Sequence, residues 1–221
     1  MIVAIDGPAG SGKSTIAKMI AEKLGITFMN TGSFYRGVTL GLLRDLGGLP
    51  DGSGAKPLDL SNETRIIDFT RFVKLDYRNN HLFLNDEDVD RFLRGDAVEA
   101  VVAQVSAIVE VRHIVNEKIR EVAHNTGVVC EGRDMTTVVF PDALNKFFLD
   151  ASVSARAKRR YDQGTSRLSL SEIEASIIER DSIDRNKKEG SLKIAPDAIY
   201  LDTSDLTINQ VCDMIISKIH L

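Results

Sequence analysis

Apolar positions along this chain follow two alternating patterns. Short runs of consecutive apolar residues, rich in β-branched side chains, are typical of buried strands. Between them lie segments in which apolar residues recur every three or four positions, as on one face of a helix. Strands that alternate with helices are typical of an α/β fold with a parallel sheet. The apolar runs predict strands at residues 2–5, 26–29, 128–130, 146–150 and 198–201.

The helical segments have recognisable beginnings and ends. Gly25 can end the first helix, and the polar residues 30–33 can cap the second. Residues 169–172 and 207–210 match the capping-box pattern of a helix start. The strongly charged residues 181–190 are expected to form a mobile segment after a helix. Other helices are predicted at about 34–46, 62–69, 96–109, 111–124 and 169–180.

One part of the chain departs from the strand–helix alternation. Residues 71–77 and 81–86 are strand-like and flank a short polar turn, which predicts a β-hairpin. Local antiparallel pairing in a chain of this kind indicates a small insertion between core elements. We therefore predict an insertion at residues 61–99, set into a core formed by residues 1–60 and 100–221.

A glycine-rich segment joins the first strand to the first helix. Residues 7–14 read G-P-A-G-S-G-K-S and fit the phosphate-binding pattern G-x-x-x-x-G-K-[S/T]. Its backbone N–H groups can converge on an anion at the helix start. Lys13 would contact the β- and γ-phosphates of a nucleoside triphosphate, and the Ser14 hydroxyl would coordinate its Mg²⁺. The alternative is a glycine-rich turn with a surface lysine. The predicted ATP-binding residues are Gly7, Pro8, Ala9, Gly10, Ser11, Gly12, Lys13, Ser14 and Thr15.

The composition and charge of the chain argue against several classes of protein, among them nucleic-acid-binding and membrane-spanning proteins. The 221 residues carry a formal net charge of −4, which argues against a protein that holds long nucleic acid by neutralising its phosphates. Cys130 and Cys212 lie in apolar surroundings and are interpreted as core residues rather than a disulfide. No apolar run reaches the length of a membrane helix, and no leader pattern is visible. We expect a soluble, cytoplasmic protein.

Arginines are the most numerous candidates for chemistry on phosphate. Phosphoryl transfer depends chiefly on positioning and on compensating charge, so arginines at loop and helix ends suit it. Each could instead be a solvated surface residue, and residues 155–160, A-R-A-K-R-R, could be the wet face of a helix. The charged residues 131–134 follow a buried strand and are expected to face the same cleft as the glycine-rich loop. The arginines in question are Arg36, Arg112, Arg133, Arg156, Arg159, Arg160, Arg180 and Arg185.

Several motifs in order along the chain resemble the bacterial cytidylate kinase family. The resemblance covers nearly the whole sequence and is more specific than the glycine-rich loop alone. The motifs are G-P-A-G-S-G-K-S-T at 7–15, T-G-S-F-Y-R at 31–36, E-G-R-D-M-T-T-V-V-F-P-D-A at 131–143, K-F-F-L-D-A-S at 146–152, R-A-K-R-R at 156–160 and R-D-x-x-D-R-N at 180–186.

This resemblance implies a P-loop kinase core with five parallel strands flanked by helices. It also implies a lid at about 154–190, a monophosphate-binding role for the insertion at 61–99, and a monomeric protein. The implied reaction takes the γ-phosphoryl group of ATP, with Mg²⁺, to CMP or dCMP. The resemblance also implies roles for residues at matching positions. Thr31, Arg36 and Arg133 would bind the acceptor phosphate, and Arg112 and Asp134 would recognise the cytosine ring. Arg180 and Asp184 would serve the acceptor's phosphate and ribose, and the residues that act on the transferring group would be Lys13, Arg133, Arg156, Arg159 and Arg160.

Two other functions stay open at this point. The chain could be a P-loop kinase for a different nucleotide or small metabolite, or a nucleotide-binding regulator without transfer activity. A carboxylate at Asp134 favours cytosine, because it can accept a hydrogen bond from the exocyclic amine; it could also merely pair with a neighbouring arginine. The chain departs from the family pattern at Ala103, Thr136, Lys187 and Ser191, where serine, glycine, arginine and proline are frequent.

Overall fold

The computed structural model describes residues 1–124, 126–164 and 168–220. Strands and helices alternate at both ends of the chain, whereas short strands cluster in its middle. The strands are β1 (Ile2–Asp6), β2 (Thr27–Asn30), β3 (Leu75–Arg78), β4 (His81–Leu84), β5 (Glu87–Asp88), β6 (Val128–Gly132), β7 (Asn145–Asp150) and β8 (Ile199–Asp202). The helices are α1 (Lys13–Leu24), α2 (Gly32–Asp45), α3 (Glu63–Phe72), α4 (Asp96–Val105), α5 (Val109–His124), α6 (Val153–Asp162), α7 (Leu170–Asn186) and α8 (Ile208–Ile216).

The larger sheet has five strands in the order β2-β6-β1-β7-β8. Strand β1 lies at its centre and pairs in parallel with β6 and β7. The register sets Ile5 opposite Glu131 on one side and opposite Phe147 on the other. The carboxyl ends of these strands therefore lie at one edge of the sheet, together with the segments that follow them. The predicted α/β fold with five parallel strands is confirmed.

The chain divides into two compact units, and the first comprises residues 1–28 and 126–221. Its core is formed by β1, which is buried on both faces, and by the helices that cover it. Val3 and Ile5 are fully buried, and Ile20 of α1 and Ile215 of α8 belong to the same apolar cluster. Continuous burial of β1 explains why its sequence reads as an unbroken apolar run.

The second unit comprises residues 29–125 and contains a three-stranded antiparallel sheet. Strands β3 and β4 form the predicted hairpin, and Asn79 and Asn80 at its turn have positive φ angles of 53° and 64°. Asparagine tolerates this left-handed conformation better than most residues do. The third strand, β5, was not predicted. The predicted insertion at 61–99 lies wholly within this unit, and its monophosphate-binding role stays a prediction.

The end of α7 differs from the expectation. The helix was expected to end near residue 180, but it continues to Asn186 and includes much of the segment expected to be mobile. Ile173, Ile177 and Asp184 are its buried residues, at spacings of four and seven, so one buried face runs the length of the helix. Of the charged residues of this segment that lie within the helix, Asp184 is buried, Asp181 is partly buried and Arg185 is exposed. The predicted capping boxes at Ser169 and Thr207 are both confirmed.

Two smaller predictions also need correction, and one turn was not predicted. The helices expected at 96–109 and 111–124 meet earlier, because α4 ends at Val105 and α5 begins at Val109. Thr31 is the N-cap residue of α2, but its side chain makes no capping hydrogen bond. A π-helical turn at Met135–Val139 follows β6 and was not predicted. Within the predicted lid at 154–190, residues 165–167 lie outside the described part of the chain.

Candidate active site

The glycine-rich loop runs from the end of β1 to the first turn of α1, as the motif predicts. Gly12 is the N-cap residue of α1 and has a φ of 90°, a conformation that favours glycine. A Cβ added to Gly7 would lie 2.0 Å from the backbone oxygen of Leu149, so only glycine fits between the loop and β7. These two glycines let the loop turn tightly and present its backbone N–H groups at a positively polarised helix start.

Lys13, the first residue of α1, is buried, with 5% of its surface exposed. Its Nζ donates a hydrogen bond to the backbone oxygen of Pro8 at 2.8 Å, across the loop. Burial chiefly, and then the nearby Arg133 guanidinium, lower the pKa of this amine to about 7, although the carboxylates of Glu131 and Asp6 act in the opposite direction. The alternative of a surface lysine is therefore wrong. A buried amine at a helix start is suited to bind an anion that restores its charge.

Ser14 and Glu131 bring a hydroxyl and a carboxylate together beside the loop. The Ser14 hydroxyl donates to Glu131 Oε1 at 2.9 Å, and Glu131 is buried near the end of β6. A hydroxyl and a carboxylate are oxygen ligands of the kind that Mg²⁺ takes. Sequence reasoning placed residues 131–134 in this cleft but gave Glu131 no role. The signal was a carboxylate at the end of a buried strand adjacent to β1.

Arg133 is held by a carboxylate from α7. Its Nε donates to Asp184 Oδ2 at 2.7 Å, and Lys187 Nζ donates to Asp184 Oδ1 at 2.8 Å. Asp184 is 5% exposed. Burial is the largest single influence on the pKa of its carboxyl and raises it. The two cationic partners, Arg133 and Lys187, together outweigh burial and hold this pKa below its usual value. The structure thus brings together Arg133 and Asp184, both predicted site residues.

Two of the predicted lid arginines on α6 are tied to loops at the sheet edge. Arg156 is 3% exposed, and its Nη1 donates to the backbone oxygen of Ala9 in the glycine-rich loop at 3.0 Å. Arg159 donates to the side-chain and backbone oxygens of Thr203, after β8. The interpretation of residues 155–160 as a wet helix face is therefore wrong for Arg156. Arg160 is half-buried on the same helix, and Arg180 is exposed on α7.

The turn after β6 is fixed by Asp6, the last residue of β1. Asp6 accepts hydrogen bonds from the backbone N–H of Met135 at 2.9 Å and of Thr136 at 2.7 Å, and from the Thr136 hydroxyl at 2.6 Å. Burial raises the pKa of Asp6 to about 6 despite these bonds. Asp134, the predicted cytosine-binding residue, is the N-cap residue of this turn and is 3% exposed. The role of Asp6 in holding this turn was not predicted from the sequence.

The remaining predicted residues lie in the second unit. Thr31 is buried at the start of α2. Arg36 Nε donates to Glu99 Oε1 of α4 at 2.9 Å. The guanidinium carbon of Arg112 lies 5.3 Å from the centre of the Tyr35 ring, and its Nη1 donates to the backbone oxygen of Ser106 at 3.5 Å. All three are therefore anchored on helices of this unit.

Two features are absent from the described residues. Over residues 1–124, 126–164 and 168–220, no cluster of three or more histidine, cysteine, aspartate or glutamate side chains could hold a metal ion. Within the same ranges, no helix combines the length and apolar character that a bilayer crossing requires.

Comparison with known proteins agrees with the motifs. The family model described as cytidylate kinase matches residues 3–221. A cytidylate kinase from Borrelia duttonii is 39% identical over 100% of this chain and 99% of its own length. One from Thermodesulfovibrio yellowstonii is 39% identical over 99% of this chain and 97% of its own. A solved structure of an uncharacterized protein from Eubacterium ventriosum shares the fold, with a TM-score of 0.51 and 14% identity over 99% of this chain and 97% of that one.

Proposed function

The chain belongs to the cytidylate kinase family, and on that premise we propose that it transfers the γ-phosphoryl group of ATP to CMP or dCMP. The products are ADP and CDP or dCDP. The observation that carries this proposal is the family match over residues 3–221, which includes the phosphate loop and the motifs that follow it. The alternative, a kinase for another small acceptor, is less well supported. The relatives that match this chain over nearly their full length are named cytidylate kinases.

The donor side of the reaction is assigned to the first unit. The backbone of the loop at 7–14 binds the phosphates of ATP, and Lys13 places an ammonium against the β- and γ-phosphates. Arg133 adds a second cation near Lys13, as its lowering of the Lys13 pKa indicates. Both charges compensate the negative charge that moves during transfer, which is the main requirement of phosphoryl transfer.

Magnesium fits the oxygens beside the loop. The Ser14 hydroxyl is the proposed ligand, and the Glu131 carboxylate, 2.9 Å from it, would hold the ion or one of its waters. When bound, Mg²⁺ would neutralise part of the charge of the phosphates that the loop binds. Serine and glutamate together supply the hard oxygen donors that this ion prefers.

The acceptor side follows the family pattern and stays a proposal at each residue. Thr31, Arg36 and Arg133 are proposed to bind the phosphate of CMP, because arginine forks match phosphate oxygens. Arg112 and Asp134 are proposed to recognise cytosine. Arg180 and Asp184 are proposed to serve the acceptor's phosphate and ribose, and this assignment has to accommodate the present bonds of Asp184 to Arg133 and Lys187. Arg156, Arg159 and Arg160 are proposed to serve the transferring group, and a monomer in the cytoplasm stays a prediction.

An acceptor panel tests this function. Release of ADP from ATP and Mg²⁺ would be followed with CMP, dCMP, UMP, AMP and shikimate as acceptors under identical conditions. We expect kcat/KM for CMP and dCMP to exceed that for UMP and AMP at least tenfold, since about 1–3 kcal/mol of discrimination is typical of paired hydrogen bonds to a base edge. Equal turnover of UMP, or a preference for shikimate, would contradict the proposal.

A further inference from the structure

Arg156 connects three segments of the first unit. Its Nε donates to the backbone oxygen of Ala151 at 2.9 Å, after β7. Its Nη1 donates to the backbone oxygen of Ala9 in the phosphate loop at 3.0 Å. It also donates to Asp181 on α7, from Nη1 to Oδ1 at 3.1 Å and from Nη2 to Oδ2 at 2.6 Å. One guanidinium thus joins the phosphate loop, the end of β7 and α7.

Asp181 is the anion that Arg156 contacts within the described part of the chain, and it fixes the orientation of the guanidinium. The pair is bidentate, the arrangement in which both nitrogen–oxygen directions are set at once. The Arg156 side chain is 4% exposed and that of Asp181 is 14% exposed, so water screens the pair little. A charge buried this far needs its partner, because an unpaired buried guanidinium is strongly unfavourable.

The phosphate loop packs closely against Arg156 as well as bonding to it. A Cβ added to Gly10 would lie 3.3 Å from the Cβ of Arg156, so the loop backbone lies directly on α6 at this point. The Ala9 carbonyl that accepts from Arg156 belongs to the same loop whose backbone N–H groups are proposed to bind the phosphates. A fixed carbonyl direction at Ala9 constrains the peptide planes next to it.

We propose that Asp181 is a positioning residue of the donor site, which acts through Arg156 to hold the phosphate loop in the conformation that binds ATP. It does not contact the nucleotide itself. Its contribution is preorganisation: a loop that is already held loses less conformational freedom when phosphate binds. The inference rests on the proposed function only in taking ATP as the donor.

The Asp181→Asn variant tests this role because it removes the charge and keeps the size of the side chain. The probe is adenylyl imidodiphosphate with Mg²⁺, an ATP analogue whose γ-phosphoryl group is not transferred, and binding is measured by titration calorimetry. We expect affinity to fall about tenfold, with KM for CMP within twofold of the unchanged protein. Glu179→Gln, at an exposed position of the same helix, is the matched control and should leave both values unchanged.

A double-mutant cycle separates positioning from general damage. If Asp181 acts through Arg156, then Asp181→Asn added to Arg156→Gln should weaken analogue binding no further than Arg156→Gln alone. Additive effects, an effect below twofold in Asp181→Asn, or tighter binding would each overturn the inference. Should Asp181→Asn fail to fold, Asp181→Glu keeps the charge but shifts it, and the same loss of analogue affinity is expected.

The two proposals can fail separately. Analogue binding needs no acceptor, so weakened binding in Asp181→Asn would support the positioning role even if CMP were not phosphorylated. Conversely, CMP turnover with unchanged analogue binding in Asp181→Asn would leave the kinase assignment intact and refute the role of Asp181.

Discussion

At the scale of single residues, the motif predicts which side chains bind phosphate. It does not predict the burial and hydrogen bonds of those side chains in the protein without ligand. Lys13 and Ser14 follow from the loop pattern alone, because their spacing from the glycines is fixed by the backbone. Burial of Lys13 and its bond to Pro8 depend on packing and could not be predicted. The same holds for the pairing of Arg156 with Asp181, which lie 25 positions apart in sequence.

Lys13 should take up a proton when MgATP binds. With a pKa of about 7 in the unligated protein, it is mostly neutral at pH 8, and phosphate charge restores the ammonium. We expect an uptake of about 0.9 proton at pH 8, seen as a dependence of the binding enthalpy on the buffer's ionisation enthalpy. ATP affinity should accordingly fall as pH rises from 7 towards 10. Lys13→Met is the control, and buffer-independent enthalpies for the unchanged protein would refute the prediction.

The Glu99 carboxylate accepts a hydrogen bond from the Arg36 guanidinium in the second unit, and it should compete with the acceptor's phosphate for that guanidinium. The Arg36 and Glu99 side chains are 23% and 46% exposed, so the pair is weak, on the order of 1 kcal/mol or less. Glu99→Gln removes the competing charge, and we expect KM for CMP to fall about two- to fivefold with kcat unchanged. Asp96→Asn on the same helix controls for net charge. A rise in KM would show instead that Glu99 orients Arg36 for the phosphate.

At the scale of elements, strands and capped helices were predicted well and their connections less well. Continuous burial made β1 and β7 readable as apolar runs, and capping boxes fixed the starts of α7 and α8. The extension of α7 to Asn186 was missed because its last buried residue, Asp184, is charged and pairs with Arg133, which is distant in sequence. The π-helical turn after β6 was missed for the same reason, since Asp6 holds it from another strand.

The hydroxyl of Thr136 should stabilise that turn. It donates to the buried Asp6 carboxylate at 2.6 Å, and glycine, frequent at this position in the family pattern, has no such group. Thr136→Val keeps the shape and removes the bond, so we expect the free energy of unfolding at pH 7 to fall by about 1.5–3 kcal/mol, the range for hydrogen bonds to charged groups. Urea denaturation measures this. Thr137→Val is the neighbouring control, because the Thr137 hydroxyl is buried without a hydrogen-bond partner among the described residues, and an equal loss in both variants would contradict the account.

At the scale of the whole molecule, function was readable because motifs occur in one order along the entire chain. The phosphate loop alone is common to many nucleotide-binding proteins and says nothing about the acceptor. The later segments, including Arg133 and Asp134, distinguish this family, and the match over residues 3–221 agrees with them. What the sequence could not supply is the set of bonds that hold the site before substrate arrives, since those depend on which helices pack together.

The central claim is transfer of a phosphoryl group from ATP to a cytidine monophosphate. The most direct test is a ³¹P NMR time course of the unmodified protein with ATP, Mg²⁺ and CMP. The account predicts that the phosphate signals of CDP appear in step with those of ADP, in equal amounts, as the γ-phosphate signal of ATP and the CMP signal decline. The account would be contradicted if inorganic phosphate appeared in place of CDP. It would also be contradicted if the spectra stayed unchanged although ATP and CMP were shown to bind to the protein.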